Sequence, residues 1–179
     1  MLFGTETAEL EILHLIQNIF GCSFLDFVMP RLTVLGNGGV IWIFTAIALL
    51  CTKKYRRKGM ILSAALILGL VIGNLLLKNL IARPRPCWIE PQHLFLIANP
   101  QDFSFPSGHT WSSFAATFVL WQTKRSFGIL SLILAILIAF SRLYLFVHFP
   151  TDIIGGIALG YAMYRLSLWI FSGNLFGGK

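Results

Sequence analysis

Between positions 78 and 152 this very apolar chain places Lys78, Arg85 and Arg142, the run Ser107-Gly108-His109, and His148 followed four residues later by Asp152. Three fixed positive charges suit a phosphate group, because an arginine fork holds two of its oxygens at once. In the stretch FPSGHTW, Pro106 closes a loop, Ser107 is of N-cap type, and Gly108 removes a side chain so that an anion can approach the backbone. The unpaired N–H groups at a helix start attract that anion. Ser107 and His109 stand two residues apart, so on a helix their side chains diverge and a serine–histidine nucleophile pair does not fit. Ser107 therefore reads as a ligand and His109 as an acid reaching the scissile oxygen. His148 is a candidate to attack phosphorus, provided that Asp152 meets it across Pro150 and fixes its tautomer.

Taken singly, each residue has a plainer reading. Lys78 can snorkel to the interface, Arg83 and Arg85 can anchor there, Arg142 can pair with a lipid phosphate, and Asp152 can cap a helix after Pro150. Their convergence on one side carries the argument, since ionisable groups at membrane depth are costly and usually mark function.

The elements that must bring them together are membrane helices. The chain has 179 residues, 56% hydrophobic and only 12% charged, whereas about a quarter of the residues of a soluble domain are charged. A single integral membrane domain, 1–179, is expected, an all-α polytopic helical bundle. Apolar runs at 59–81, 126–146 and 151–171 reach the length of a span, and shorter runs at 38–51 and 108–121 bring the number to five. Residues 1–36 read as an amphipathic helix with Leu10, Leu13, Ile16, Gln17 and Phe20 on its apolar face; it lies on the surface or completes a sixth span. The acidic N-terminus does not have the form of a signal peptide, and Cys22, Cys51 and Cys87 have neither disulfide nor zinc spacing.

The net charge of +7 comes largely from Lys53, Lys54, Arg56, Arg57 and Lys58 and from Lys124 and Arg125, which leaves no basic face for nucleic acid. The two clusters lie two spans apart, so both face the same side, and the positive-inside rule makes that side cytoplasmic. The loop over 82–107 and the turn at His148 then share the extracytoplasmic side. Gly69/Gly73 and Gly156/Gly160 have the Gly-x-x-x-Gly spacing of close helix contacts.

Together, Lys78 with six residues before Arg85-Pro86, then Pro106-Ser107-Gly108-His109, then Ser141-Arg142 with His148 and Asp152, resemble the three-part signature of the type-2 phosphatidic acid phosphatase superfamily. That superfamily includes vanadium haloperoxidases and bacterial acid phosphatases. The motifs occupy 78–86, 106–109 and 141–152. The resemblance implies that His148 is a nucleophile forming a phosphohistidine, Asp152 its orienting partner and His109 the general acid. It implies Lys78, Arg85, Ser107, Gly108 and Arg142 as phosphate ligands, with no metal and no other cofactor. Arg83 lies outside the signature and its role stays open.

The expected protein is a lipid phosphatase of the cell membrane, acting from the extracytoplasmic face. Its partners are the bilayer and a phosphorylated lipid; nucleic acid is not among them, and the oligomeric state stays open. Undecaprenyl diphosphate is slightly favoured over phosphatidylglycerophosphate and phosphatidic acid, and the loop over 87–105, with Trp88, His93 and Phe95, is expected to help select it. The rival readings are a phosphotransferase using the same histidine and a lipid or anion transporter. A transporter needs access from both sides, and here the polar groups gather on one.

Overall fold

A computed structural model of the chain describes residues 6–93 and 95–174. Among them every regular element is helical. α1 (Glu6–Phe20) and α2 (Ser23–Leu35) are followed by a kink at 36–39 and by α3 (Val40–Cys51). α4 (Arg56–Gly69) runs through a π-helical segment, Leu70–Leu77, into α5 (Lys78–Ile81). The short α6 (Pro86–Ile89) precedes a long loop, and α7 (Gly108–Trp121), α8 (Arg125–Tyr144) and α9 (Pro150–Trp169) complete the bundle.

Three helices are long and apolar enough to cross a bilayer: Arg56–Ile89, Arg125–Tyr144 and Pro150–Ser172. α2 and α3 qualify together as one span bent by 42°. The expected run 38–51 thus forms the second helix of a bent pair, a broken span or a re-entrant loop, and not a straight crossing of its own. α7 has 14 residues, about 21 Å of helix at 1.5 Å per residue. It is buried over most of its length between α4, α8 and α9, which makes it the central helix of the core.

Residues 1–36 also differ from the single amphipathic helix expected, the first five lying outside the described residues. The helix stops at Gly21, because Cys22 turns extended, and α2 starts in a new direction. Leu13 is buried as its place on the apolar stripe requires. Glu9, on the polar side of the pattern, is buried as well. A carboxylate there needs partners, and it finds Arg83 and Thr151.

Both Gly-x-x-x-Gly pairs mark close packing against the first turns of α7, Gly69 and Gly73 on the Trp111 ring and Gly156 and Gly160 on Thr110 and the Trp111 carbonyl. A Cβ at Gly69 would lie 2.3 Å from the Trp111 ring, and one at Gly160 would lie 2.6 Å from the Trp111 carbonyl oxygen. The glycines let α4 and α9 close on the central helix. The indole N–H of Trp111 then donates to Asn74 Oδ1 in the π-helical segment at 3.1 Å.

The two basic clusters share one end of the bundle. The Tyr55 and Phe127 rings stand 6.3 Å apart, and Arg57 donates to the Phe171 carbonyl at 2.7 Å. At the other end the segment 82–86, the start of α7 and the turn between α8 and α9 are bonded together. Ser107 N–H donates to the Asp152 carbonyl at 3.2 Å, and Arg85 Nη1 to the Val147 carbonyl at 2.6 Å.

Candidate active site

α5 ends at Ala82, which takes a left-handed conformation (φ 49°) and turns the chain out of the helix. Arg83-Pro84-Arg85-Pro86 follows without helix until Pro86 starts α6 at a first-turn position, where its missing N–H costs nothing. This short excursion sends Arg83 and Arg85 inward, both almost fully buried. A second left-handed residue, Phe146 (φ 59°), bends the α8–α9 turn. His148 in that turn is 1% exposed.

Every donor of Arg85 is engaged. Its Nη1 reaches the Val147 carbonyl at 2.6 Å and lies 3.1 Å from His148 Nε2. Its Nε donates to the Asp102 carbonyl at 2.6 Å, and its Nη2 donates to Asp102 Oδ1 at 2.7 Å and, at a longer 3.4 Å, to the Phe103 carbonyl. Lys78 Nζ pairs with the second Asp102 oxygen. Burial works against the charge of Asp102, but Arg85 and Lys78 outweigh it and hold the carboxyl well below the usual carboxylate range.

His148 Nδ1 is 3.3 Å from Asp152 Oδ2, so the two do meet across Pro150. Asp152 takes more than this one partner. Its Oδ2 accepts the Phe149 N–H at 2.8 Å, capping α9, and the hydroxyl of Ser104; its Oδ1 accepts from Arg83 Nη1 at 2.7 Å. Arg83 in turn pairs with Glu9 of α1, donates to Thr151 Oγ1 at 2.6 Å, and lies 4.0 Å over the Phe149 ring. Burial first, then the charges of Arg85 and Arg142, push the His148 pKa well below its ordinary value. Both effects favour the neutral imidazole, and its Nε2 faces Arg85.

His109 projects from the first turn of α7 toward the kink between α2 and α3. Its Nε2 is 2.9 Å from Asn37 Oδ1. Gly36 makes room for it: a Cβ there would come within 2.6 Å of the His109 ring. Arg142 donates from Nη1 to Thr33 Oγ1 at 2.6 Å. Its Nε is buried and has no hydrogen-bond partner among the described residues, an orphan donor that a phosphate oxygen would satisfy. Ser107 occupies the N-cap position of α7, but its side chain makes no cap hydrogen bond. Its oxygen instead accepts from the Thr110 hydroxyl at 3.0 Å, so the expected N-cap role is carried by backbone conformation alone.

Lys78, Arg85, Gly108, His109, Arg142 and His148 all border one cavity of about 790 Å³. Ser107 and Asp152 sit behind that wall, fully buried. The cavity continues away from the charges along apolar residues of α2, α3 and α4. From the loop expected to select the lipid, Ile97, Ala98, Pro100 and Asp102 reach it; Trp88, His93 and Phe95 do not. Trp88 donates to the Pro100 carbonyl at 3.0 Å and His93 stacks on Phe146 at 4.4 Å, so both hold the loop in place.

Among the described residues one group has metal-ligand spacing. His14, Glu90 and His93 offer atoms within 4.8 Å of one another, outside the cavity wall. His14 and Glu90 already pair at 2.9 Å, clasping α1 to the loop.

Sequence reasoning missed Ser104, Asn37, Thr33 and Glu9, and left Arg83 without a role. Nor did the sequence give any sign that Asp102 pairs with both Lys78 and Arg85. The position of Arg83, two residues before Arg85 in an Arg-Pro repeat, was the one available signal.

A sequence profile of the PAP2 superfamily matches residues 58–176. An undecaprenyl-diphosphatase of Sulfolobus acidocaldarius is 36% identical over 135 residues, covering 74% of this chain and 64% of that protein. The undecaprenyl-diphosphatase BcrC of Bacillus subtilis is 31% identical, covering 81% of this chain and 76% of its own. Among solved structures, the transmembrane PAP2-type phosphatidylglycerolphosphate phosphatase of B. subtilis superposes with a TM-score of 0.75 at 25% identity, over 94% of this chain and 86% of that one. Aquifex aeolicus LpxE superposes with a TM-score of 0.77 at 31% identity, over 89% and 94%. The chain belongs to the PAP2 superfamily, as its three motifs led one to expect, and it is a multi-pass membrane protein.

Proposed function

We propose that this chain is a membrane lipid phosphatase that hydrolyses a phosphomonoester or diphosphate through a phosphohistidine on His148. One observation carries the reading. A single cavity joins two histidines and three buried cations at one end to a long apolar groove at the other. A lipid phosphate has this same division into a charged head and an apolar tail.

In the first step His148 Nε2 forms a bond to phosphorus as the bond to the leaving oxygen breaks. His109 gives its proton to that oxygen, while Lys78, Arg85 and Arg142 balance charge on the phosphoryl oxygens. Asp152 steadies the resulting positive imidazole, and Arg83 and Glu9 hold Asp152 in place. In the second step water attacks phosphorus, His109 takes its proton, and orthophosphate leaves His148 free. With a polyprenyl diphosphate the terminal phosphorus is attacked and the lipid monophosphate departs.

Undecaprenyl diphosphate is the favoured substrate, supported by the names of the archaeal and B. subtilis relatives. The catalytic end lies opposite the basic loops, which supports action from the extracytoplasmic face. The test is phosphate release by purified protein in detergent from a panel of polyprenyl diphosphates, phosphatidylglycerophosphate and phosphatidic acid. Release from the polyprenyl diphosphate at the highest kcat/KM is expected. No release from any lipid would overturn the reading, and a preference for a glycerophospholipid would overturn only the choice of substrate.

A further inference from the structure

The phosphate-binding cations already hold an anion that belongs to the chain. The two carboxylate oxygens of Asp102 are divided between them, one on Lys78 and one on Arg85 Nη2 at 2.7 Å. Two non-bridging oxygens of a phosphate would make the same pair of contacts. Arg85 has five N–H donors, and its acceptors are the Val147, Asp102 and Phe103 carbonyls, His148 Nε2 and Asp102 Oδ1. A phosphate can therefore bind Arg85 only by taking the place of one of these acceptors. Three are backbone carbonyls and one is the nucleophile.

The fifth acceptor is built to move. The Asp102 side chain is 57% exposed, while those of Lys78 and Arg85 are 6% and 2% exposed. The backbone around it is pinned. Arg85 Nε holds the Asp102 carbonyl, Trp88 holds the Pro100 carbonyl, and Ser104 N–H donates to the Arg83 carbonyl at 2.9 Å. A side-chain rotation at Asp102 thus releases both cations without unfolding the loop, and the tether keeps the carboxylate at high local concentration.

Resting on the phosphatase reading above, we propose that Asp102 is a tethered anion that competes with phosphate for Lys78 and Arg85. It yields both cations to the incoming substrate and takes them back as orthophosphate leaves, so product release is an exchange of one anion for another. The buried cations are then never left unpaired, which would be costly. Such a competitor lowers the affinity of every phosphate-like ligand by one common factor, the fraction of molecules in which the carboxylate is turned away.

That common factor is the test. Competitive inhibition of p-nitrophenyl phosphate hydrolysis by orthophosphate, vanadate and phosphatidic acid is measured for the wild type, Asp102→Asn and Asp102→Glu in detergent. Asp102→Asn removes the charge, and all three inhibition constants should fall together, by at least about five-fold, the lower range of such couplings. Asp102→Glu keeps the charge and should stay near the wild type. Unchanged or weaker inhibition of Asp102→Asn would overturn the proposal, since Asp102 would then support the cations instead of competing for them. Should Asp102→Asn fail to fold, a structure of the wild type with vanadate decides: the carboxylate is expected off both cations, and a carboxylate retained on both overturns the idea. A wild type that neither hydrolyses the ester nor responds to vanadate would defeat the phosphatase reading itself, which separates the two failures.

Discussion

His148 shows how one side chain acquires a role from two neighbours. Arg85 faces its Nε2 at 3.1 Å and Asp152 its Nδ1 at 3.3 Å. Burial and the nearby cations lower its pKa well below the ordinary 6.5. A depressed pKa means that the neutral, nucleophilic form persists as pH falls. The acid limb of kcat/KM, which reports the free enzyme's essential base, should therefore lie below pH 6.5 once the ester's own titration is removed; a limb at or above that value would count against the nucleophile assignment. His109 has a different neighbour, Asn37, and, as the proposed acid, a different task. A lipid alcohol leaves poorly without a proton, a contribution of about 10²–10⁴-fold, whereas p-nitrophenolate needs little help. His109→Ala should cripple lipid hydrolysis yet retain far more activity on p-nitrophenyl phosphate, and His148→Ala should abolish both. Equal losses on both substrates in both variants would refute this division of roles.

At the scale of elements, the site depends on how closely α4 and α9 approach the buried α7. Gly160 is the tightest point against backbone. A Cβ there would stand 2.6 Å from the Trp111 carbonyl and 3.0 Å from the Ala115 nitrogen, neither of which can rotate away. Gly160→Val should destabilise the bundle by about 1–3 kcal/mol, the usual cost of overpacking. Thermal unfolding in detergent measures this, and an unchanged midpoint would show that α9 is free to shift. α1 belongs to the site as well. Glu9 joins it to Arg83 and Thr151 and so to Asp152, which gives a helix without any motif a direct hold on the carboxylate beside His148.

For the whole molecule, the separation of charges by end predicts an orientation. The basic loops gather at one end and the proposed catalytic groups at the other, so the site is expected to face away from the cytoplasm. On a background lacking the native cysteines, a membrane-impermeant thiol reagent added to intact cells should modify a cysteine at Gln92 and spare one at Tyr55. The reverse pattern would sink the assignment. The same arrangement bears on cofactors. Lys78, Arg85 and Arg142 supply at the cavity the positive charge a metal would bring, and the nearby carboxylates Asp102 and Asp152 are each paired with arginine. Hydrolysis is expected to survive EDTA; activity lost to the chelator and restored by Mg²⁺ would contradict this.

That Lys78, Arg85, Gly108, His109, Arg142 and His148 belong together at one cavity was legible from the chain alone, because their types, spacing and place at the edges of apolar runs are local properties. The all-helical membrane class followed from composition for the same reason. The glycine pairs could be read as a spacing, but that one receives the Trp111 ring and the other the α7 backbone depends on how three helices cross. The sequence could not say that 108–121 is a short central helix, since an apolar run looks the same whether lipid or protein surrounds it. Nor could it join Glu9 to Arg83, Asn37 to His109 or Asp102 to Lys78 and Arg85. Those pairs lie far apart along the chain, and a polar side chain carries no mark of the partner it will meet. Only the tertiary packing brings each charge to its counter-charge, because burying one without the other is too costly for the fold to tolerate.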